Sequence, residues 1–190
     1  MEIGPELVQR AQSGDRDGLR ELVEAAYPTV HRWALVRTGD AMEADDLTQD
    51  VMIQMIRKLS RYRGRSRFST WLYTVTRNAA ADGFRRAKRR ADVAEDPRAV
   101  EAFTPKAPVS AEQQVDDGAA TDMVQTFFRE LPLRQREVFD LVELQGLSSP
   151  EVAERLGIEP VSVRAHLFKA RKALRIRILE ARPELAEDFG

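Results

Sequence analysis

The sequence predicts an all-α protein of two small helical domains, on three observations. Apolar residues recur at helical spacing along almost the whole chain, without the alternation that indicates strands. A stretch rich in proline and acidic residues, 91–120, is typical of a flexible linker. The length of 190 residues suffices for two small domains. We therefore expect domains at 1–90 and 121–182, joined by this acidic linker, and a short tail at 183–190.

Breaks in the apolar pattern of the first domain predict where its helices end. Ser13–Gly14 interrupts the first stripe, and Thr38–Gly39–Asp40 is typical of a loop. The next helix should begin near Met42, where acidic residues in its first turns would suit the helix dipole. Its expected apolar residues are Leu47, Val51, Ile53, Met55, Ile56 and Leu59. A loop around Gly64 should follow, and then a helix capped near Ser66 or Ser69.

The net charge of −1 hides a strongly basic segment. Residues 57–90 contain twelve lysines and arginines against Asp82 alone, a net charge of +11. The segments around it, 1–56 and 91–120, have net charges of −6 and −5, and 121–190 has −1. So dense a basic segment predicts binding to a polyanion.

Aromatic residues are interleaved with these arginines, a combination that suits single-stranded nucleic acid. They are Tyr62, Phe68, Trp71, Tyr73 and Phe84. A loop at 62–67, followed by a helix that presents Arg77 and Asn78, could form a pocket for an extruded base. Helical spacing favours core packing for Phe68 and Trp71, and it leaves Tyr62 open between packing and base contact. The arginine-rich end of the segment could alternatively be a solvated helix end.

Residues 146–174, GLSSPEVAERLGIEPVSVRAHLFKARKAL, predict a helix-turn-helix. Ser148 or Ser149 would cap the first helix, Gly157 would supply the left-handed turn, and Ile158 would fill the corner. A second helix from about Pro160 should bury one side, formed by Val163, Leu167, Ala170 and Leu174. Its other sides would then present basic residues to a major groove. The alternative is a plain helical hairpin with a solvated face.

The composition excludes several classes of protein. The chain has no cysteine, which excludes disulfides and thiolate metal sites and fits a reducing cytoplasm. We expect no membrane helix, since no apolar run approaches about 18 residues, and no signal peptide, since residues 1–20 are too polar for one. Enzymatic activity is not expected either, because there is no glycine-rich phosphate loop and no metal-ligand spacing. Only His31 and His166 could exchange protons near neutral pH, and His31 is expected to be a partly buried packing residue. We expect no metal or cofactor.

Both domains together resemble those of an extracytoplasmic-function sigma factor of bacterial RNA polymerase. DDLTQDVMIQMIRKL, from Asp45, resembles the helix that grips the clamp helices of the polymerase largest subunit. YRGRSRFSTWLYTVTRNAAADGFRRAKRR, from Tyr62, resembles the segment that opens DNA and reads the minus-ten element. LPLRQREVFDLVELQGLSSPEVAERLGIEPVSVRAHLFKARKAL, from Leu131, resembles the minus-thirty-five-reading domain. The motifs follow the family's order and spacing.

The resemblance implies three sets of site residues. The residues expected to face the polymerase clamp are Asp45, Asp46, Gln49, Asp50 and Ile53. Those expected at the minus-ten DNA are Tyr62, Arg63, Arg65, Ser66, Arg67, Phe68, Ser69, Thr70, Arg77 and Asn78. Those expected at the minus-thirty-five DNA are Ser162, Arg164, Ala165, His166, Phe168, Lys169 and Lys172.

It also implies the partners, namely core RNA polymerase (clamp helices and the second-largest-subunit flap), promoter DNA and an anti-sigma factor. The free chain should be a monomer, and the acidic linker should run toward the RNA exit path.

The sequence departs from the family pattern at several positions. Asp50 stands where Glu is usual, and Met52 where Phe is common. On the recognition helix, four residues replace the commoner Gly, Thr, Ser and Arg, namely Val161, Ser162, Ala165 and His166. These positions help to set promoter preference, so the family's typical upstream sequence is not assumed.

Two other functions fit part of the sequence. A dimeric helix-turn-helix repressor would use the second domain but would leave the arginine-rich segment without a role. A sigma mimic that titrates an inhibitor would not need the basic residues that both DNA surfaces contain.

Overall fold

The computed structural model describes residues 3–94 and 117–185, and it confirms the all-α class. The described residues contain no strand, and the chain divides into two compact units, Met1–Lys106 and Ala107–Gly190. The predicted linker is helical at both ends, because residues 91–94 continue one helix and 117–120 begin the next. The rest of the linker, 95–116, and the end of the predicted tail, 186–190, lie outside the described residues.

The described residues of the first unit, 3–94, form four α-helices. They are α1 (Pro5–Gln12), α2 (Arg16–Thr38), α3 (Ala41–Lys58) and α4 (Phe68–Ala94), with a 3-10 turn at Leu59–Arg61 after α3. Gly39 ends α2 in the left-handed conformation, with φ of 74°, and the Asp40 carboxylate then caps α3 by accepting the Glu43 amide at 2.9 Å. The predicted loop at Thr38–Gly39–Asp40 is thus short, with Thr38 still helical.

The core of the first unit lies between α2, α3 and α4. The buried Trp33 of α2 meets the buried Tyr73 of α4 edge to face, with ring centroids 5.1 Å apart. Tyr73, one of the aromatic residues in the basic segment 57–90, is therefore a core residue. Among the apolar residues expected on α3, Ile53 and Ile56 are exposed. The inner face of α3 is filled without them.

The second unit contains the other four α-helices among the described residues. They are α5 (Asp117–Glu130), α6 (Leu133–Phe139), α7 (Ser149–Leu156) and α8 (Pro160–Ala181), with a π-helical turn at Asp140–Leu144 after α6. Leu131, Ala170 and Leu174 form one buried cluster, against which Phe127 and Phe128 pack. Val163 and Leu167 are also buried, so the predicted inner side of α8 is confirmed.

The turn between α7 and α8 has the geometry of a helix-turn-helix. Ser148 is the residue before α7, and the Glu151 carboxylate accepts its backbone amide at 3.0 Å and its hydroxyl at 2.7 Å. Gly157 ends α7 with φ of 66°, as predicted, and the Ile158 amide then donates to the Ala153 carbonyl at 3.1 Å. This local geometry fixes where α8 begins. Across both described ranges, no helix has the length and apolarity to cross a bilayer.

Candidate polymerase and nucleic-acid interfaces

The outer face of α3 brings the predicted clamp residues together. Ala44, Val51 and Met55 anchor the helix in the core, so residues on the opposite side point outward. All five predicted residues are exposed, namely Asp45, Asp46, Gln49, Asp50 and Ile53. Met42 and Ile56, which were not among the predicted site residues, are exposed on the same helix. The face therefore combines carboxylates with apolar side chains, which suits a protein partner.

Two contacts tie this face to neighbouring helices. His31 of α2 was expected to be a packing residue, and its side chain is 34% exposed, with Nε2 3.1 Å from an Asp45 carboxylate oxygen. Arg86 of α4 lies 3.3 Å from an Asp50 carboxylate oxygen in a half-exposed ion pair. The contacts position two carboxylates of the face, although exposed pairs of this kind stabilise a fold by at most about 1 kcal/mol.

The loop between α3 and α4 is closed by two sets of hydrogen bonds. The Tyr62 hydroxyl donates to the Ser66 carbonyl at 2.6 Å and so joins two residues of the loop across its turn. The Gln12 side chain of α1 donates to the Leu59 carbonyl at 2.8 Å and to the Tyr62 carbonyl at 2.9 Å. Gln12 therefore ties the first helix to the start of the loop. Gln12 was not predicted from the sequence, because these bonds join positions far apart in the chain.

Tyr62 is the centre of an aromatic cluster. Its ring lies 5.4 Å from the rings of both Phe68 and Trp71. Phe68 is only 4% exposed, whereas Tyr62 and Trp71 are half-buried. Burial raises the pKa of the Tyr62 hydroxyl, so this group stays protonated and remains a hydrogen-bond donor at physiological pH. Phe68 supports the loop from the core, and Tyr62 and Trp71 remain partly open to solvent.

Cavities border Tyr62 on the side of α1 and on the side of the arginine-rich loop. The first has a volume of about 430 Å³ and the second about 340 Å³. The first is lined by residues of α1, including Val8 and Gln12, and by residues of the loop and α4. The residues that line the second are Arg61, Tyr62, Arg63, Arg65, Ser66 and Trp71. The second cavity thus combines arginines with aromatic rings, which are the groups that hold an unstacked base.

The remaining predicted minus-ten residues differ in accessibility. Arg63, Arg65, Arg67 and Asn78 are exposed. Ser66, Ser69, Thr70 and Arg77 are half-buried. Phe68 is the member of the predicted set that the fold buries, as helical spacing favours, and its expected contact with DNA stays a prediction.

The outer side of α8 carries the residues predicted to contact the minus-thirty-five element. Arg164, Ala165, Phe168, Lys169 and Lys172 are exposed, and Ser162 and His166 are half-buried. Burial lowers the pKa of His166, and the nearby cations Arg134 and Lys169 lower it further. His166 is therefore neutral at physiological pH, and the helix presents its positive charge through arginine and lysine. Among the described residues, no group of histidine and acidic side chains could hold a metal ion.

Comparison with known proteins gives a family model for each unit. The model of Sigma-70 region 2 matches residues 22–90, and the model of Sigma-70 region 4 matches residues 121–174. The region 2 match contains α3 and the loop, and the region 4 match contains the helix-turn-helix. A helical chain with both regions is a DNA-binding transcription initiation factor of the sigma class.

Curated relatives narrow this class. ECF RNA polymerase sigma factor SigD from Mycobacterium tuberculosis (H37Rv) is 33% identical over 181 residues, which cover 92% of this chain and 84% of SigD. ECF RNA polymerase sigma factor BldN from Streptomyces coelicolor is 31% identical over 89% of this chain, which spans 63% of the length of BldN. The chain belongs to the extracytoplasmic-function sigma factors, which direct bacterial RNA polymerase to promoters.

Solved structures share the fold. The sigma factor RpoE, in complex with the anti-sigma factor NepR from Bartonella quintana, matches with a TM-score of 0.65 and 19% identity over 84% of this chain and 95% of that chain. CnrH, in complex with the cytosolic domain of CnrY, matches with a TM-score of 0.64 and 23% identity over 93% of this chain and 96% of that chain. At these identities the similarity establishes the fold.

Proposed function

We propose that the chain binds core RNA polymerase through the outer face of α3. The exposure of all five predicted residues on one helix face carries this proposal. Exposed Ile53 and Ile56 supply apolar area, and Asp46 and Gln49 beside them supply polar contacts. The proposed partner of this face is the pair of clamp helices in the largest polymerase subunit. The proposed partner of the second unit is the flap of the second-largest subunit.

We further propose that the loop at 62–67 captures a base of the opened minus-ten element. The cavity beside Arg61, Arg63 and Arg65 has positive charge for the backbone and aromatic surface for the base. Extrusion of a base costs a few kcal/mol, and stacking on Tyr62 or Trp71 would offset it. The exposed Asn78 of α4 is the proposed polar neighbour of the strand.

The proposed reader of the minus-thirty-five element is α8. Its exposed arginine and lysines would contact phosphates and base edges in the major groove, as in other recognition helices. The two DNA-binding surfaces would act in the cytoplasm, by binding and without catalysis. An anti-sigma factor is the proposed inhibitor, because the structurally similar RpoE of Bartonella quintana is bound to one.

Run-off transcription with purified core polymerase on a randomised promoter library tests the function. We expect the chain to direct initiation at a subset of templates that share two short elements. Core polymerase alone, on the same library, is the control. A chain that neither joins the core enzyme nor selects any start site would contradict the proposal.

A further inference from the structure

The side of α8 opposite its buried stripe begins with a row of apolar residues. Val161 is 61% exposed, Phe168 is 68% exposed, and Ala165 between them is also exposed. Their spacing of four and three residues places all three on one side of the helix. Val163 and Leu167 already fill the core on the other side. The row is therefore open to solvent over the first turns of the helix.

Charge around this row indicates what it contacts. Arg164 and Lys169 are exposed on the two sides of the apolar row, and Lys172 is exposed one turn beyond Phe168, so the row has a basic edge. A basic edge suits the phosphates of duplex DNA. The N-terminal residues of a recognition helix are the ones that reach base edges in the major groove. Val161 lies in the first turn of α8, at this position.

The apolar group that the major groove offers is the C5-methyl of thymine. Four residues of helix span about 6 Å, and successive base pairs are about 3.4 Å apart, so Val161 and Ala165 can reach thymines one or two base pairs apart. Neither side chain can hydrogen-bond to a base. We infer that Val161 and Ala165 select the sequence of the minus-thirty-five element by contact with thymine methyl groups. This inference rests on the proposed function of α8 as the reader of that element.

Replacement of thymine by uracil tests the inference, because it removes the methyl group alone. The minus-thirty-five sequence that holoenzyme prefers is first selected from the randomised library. Each thymine in that sequence is then replaced by uracil, one position at a time. We expect one or two positions at which uracil lowers holoenzyme affinity about fourfold, the effect of one buried methyl group. Competition binding with fluorescent promoter DNA measures this ratio. A selected element without thymine on either strand would overturn the inference.

Variants assign the ratio to particular side chains. In Val161→Ser, the ratio of thymine to uracil affinity should fall to about one at one of these positions. Ile176→Ala removes an exposed apolar side chain much farther along the same helix, and it should retain the wild-type ratio. The ratio within one variant is independent of any general loss of affinity. Equal ratios in wild type and Val161→Ser, at every thymine, would contradict the assignment.

Arg164→Ala separates this inference from the proposed function. If uracil has no effect at any position but Arg164→Ala still weakens binding to the upstream element, the thymine inference is wrong and α8 remains the reader. If neither change affects binding and no start site is selected, the proposed function itself is wrong.

Discussion

At the scale of a single residue, His166 makes the stability of the protein depend on pH. Its Nδ1 is buried without a hydrogen-bond partner in the described part of the chain, and its pKa is lowered by burial and by Arg134 and Lys169. Below about pH 6.5 the unfolded chain takes up a proton on this residue that the folded chain resists. The unfolded state then binds more protons, so this group lowers stability as the pH falls.

We therefore expect His166→Gln to reduce the acid sensitivity of folding. Between pH 7.5 and 5.5, the melting temperature of the variant should fall less than that of wild type. Circular dichroism melts of the full chain measure the fall in melting temperature of each protein. Other groups also titrate, such as Glu43, whose pKa is raised by burial and nearby carboxylates. Their contributions are the same in both proteins and cancel in the comparison. Parallel curves for the two proteins would show that His166 does not titrate differently on folding.

At the scale of the element, α1 holds the loop after α3 through one side chain. Gln12→Leu keeps a similar volume but removes the donor to the Leu59 and Tyr62 carbonyls. The loss of two hydrogen bonds should lower the free energy of unfolding by about 1–3 kcal/mol, measured by urea denaturation. Gln9→Leu makes the same chemical change one turn earlier on α1 and should cost less. Equal losses in the two variants would indicate that the bonds of Gln12 contribute nothing specific.

A loop that is free to move should also capture a base less well. In holoenzyme, we expect Gln12→Leu to reduce the permanganate reactivity of thymines in opened promoter DNA, while binding to the upstream element is retained. A variant that opens promoters as wild type does would limit Gln12 to a role in stability.

What the sequence predicts at this scale depends on whether the signal is local. The helix-turn-helix was predictable because its signals are local. Gly157 ends one helix, and the apolar spacing of α8 begins a few residues later. The tie from Gln12 was not, because its partners are 47 and 50 residues away. Helical spacing places Ile53 and Ile56 on the side of α3 away from Val51 and Met55, but spacing alone does not determine what covers that side.

At the scale of the whole molecule, the distribution of charge separates the partners. The segment 1–56, with a net charge of −6, includes the outer face of α3, whereas 57–90, with +11, includes the loop and the basic end of α4. An acidic face disfavours DNA and favours a basic protein surface, and a basic segment does the opposite. We therefore expect the free chain to bind DNA weakly and the polymerase complex to bind it well.

Reversal of charge on α3 tests this division. Asp46→Arg with Asp50→Arg places cations on the proposed clamp-binding face, where like-charge contacts cost several kcal/mol, so affinity for core polymerase should fall at least about 100-fold. Asp17→Arg with Glu24→Arg changes the net charge equally at exposed positions of α2 and should leave binding near wild type. Because Asp50 pairs with Arg86, circular dichroism must show that the α3 variant is folded. Fluorescence titration of labelled chain with core enzyme measures both affinities. Since α3 reversal leaves every residue of the DNA surfaces intact, a folded α3 variant that binds core polymerase as wild type does would contradict the assignment of this face.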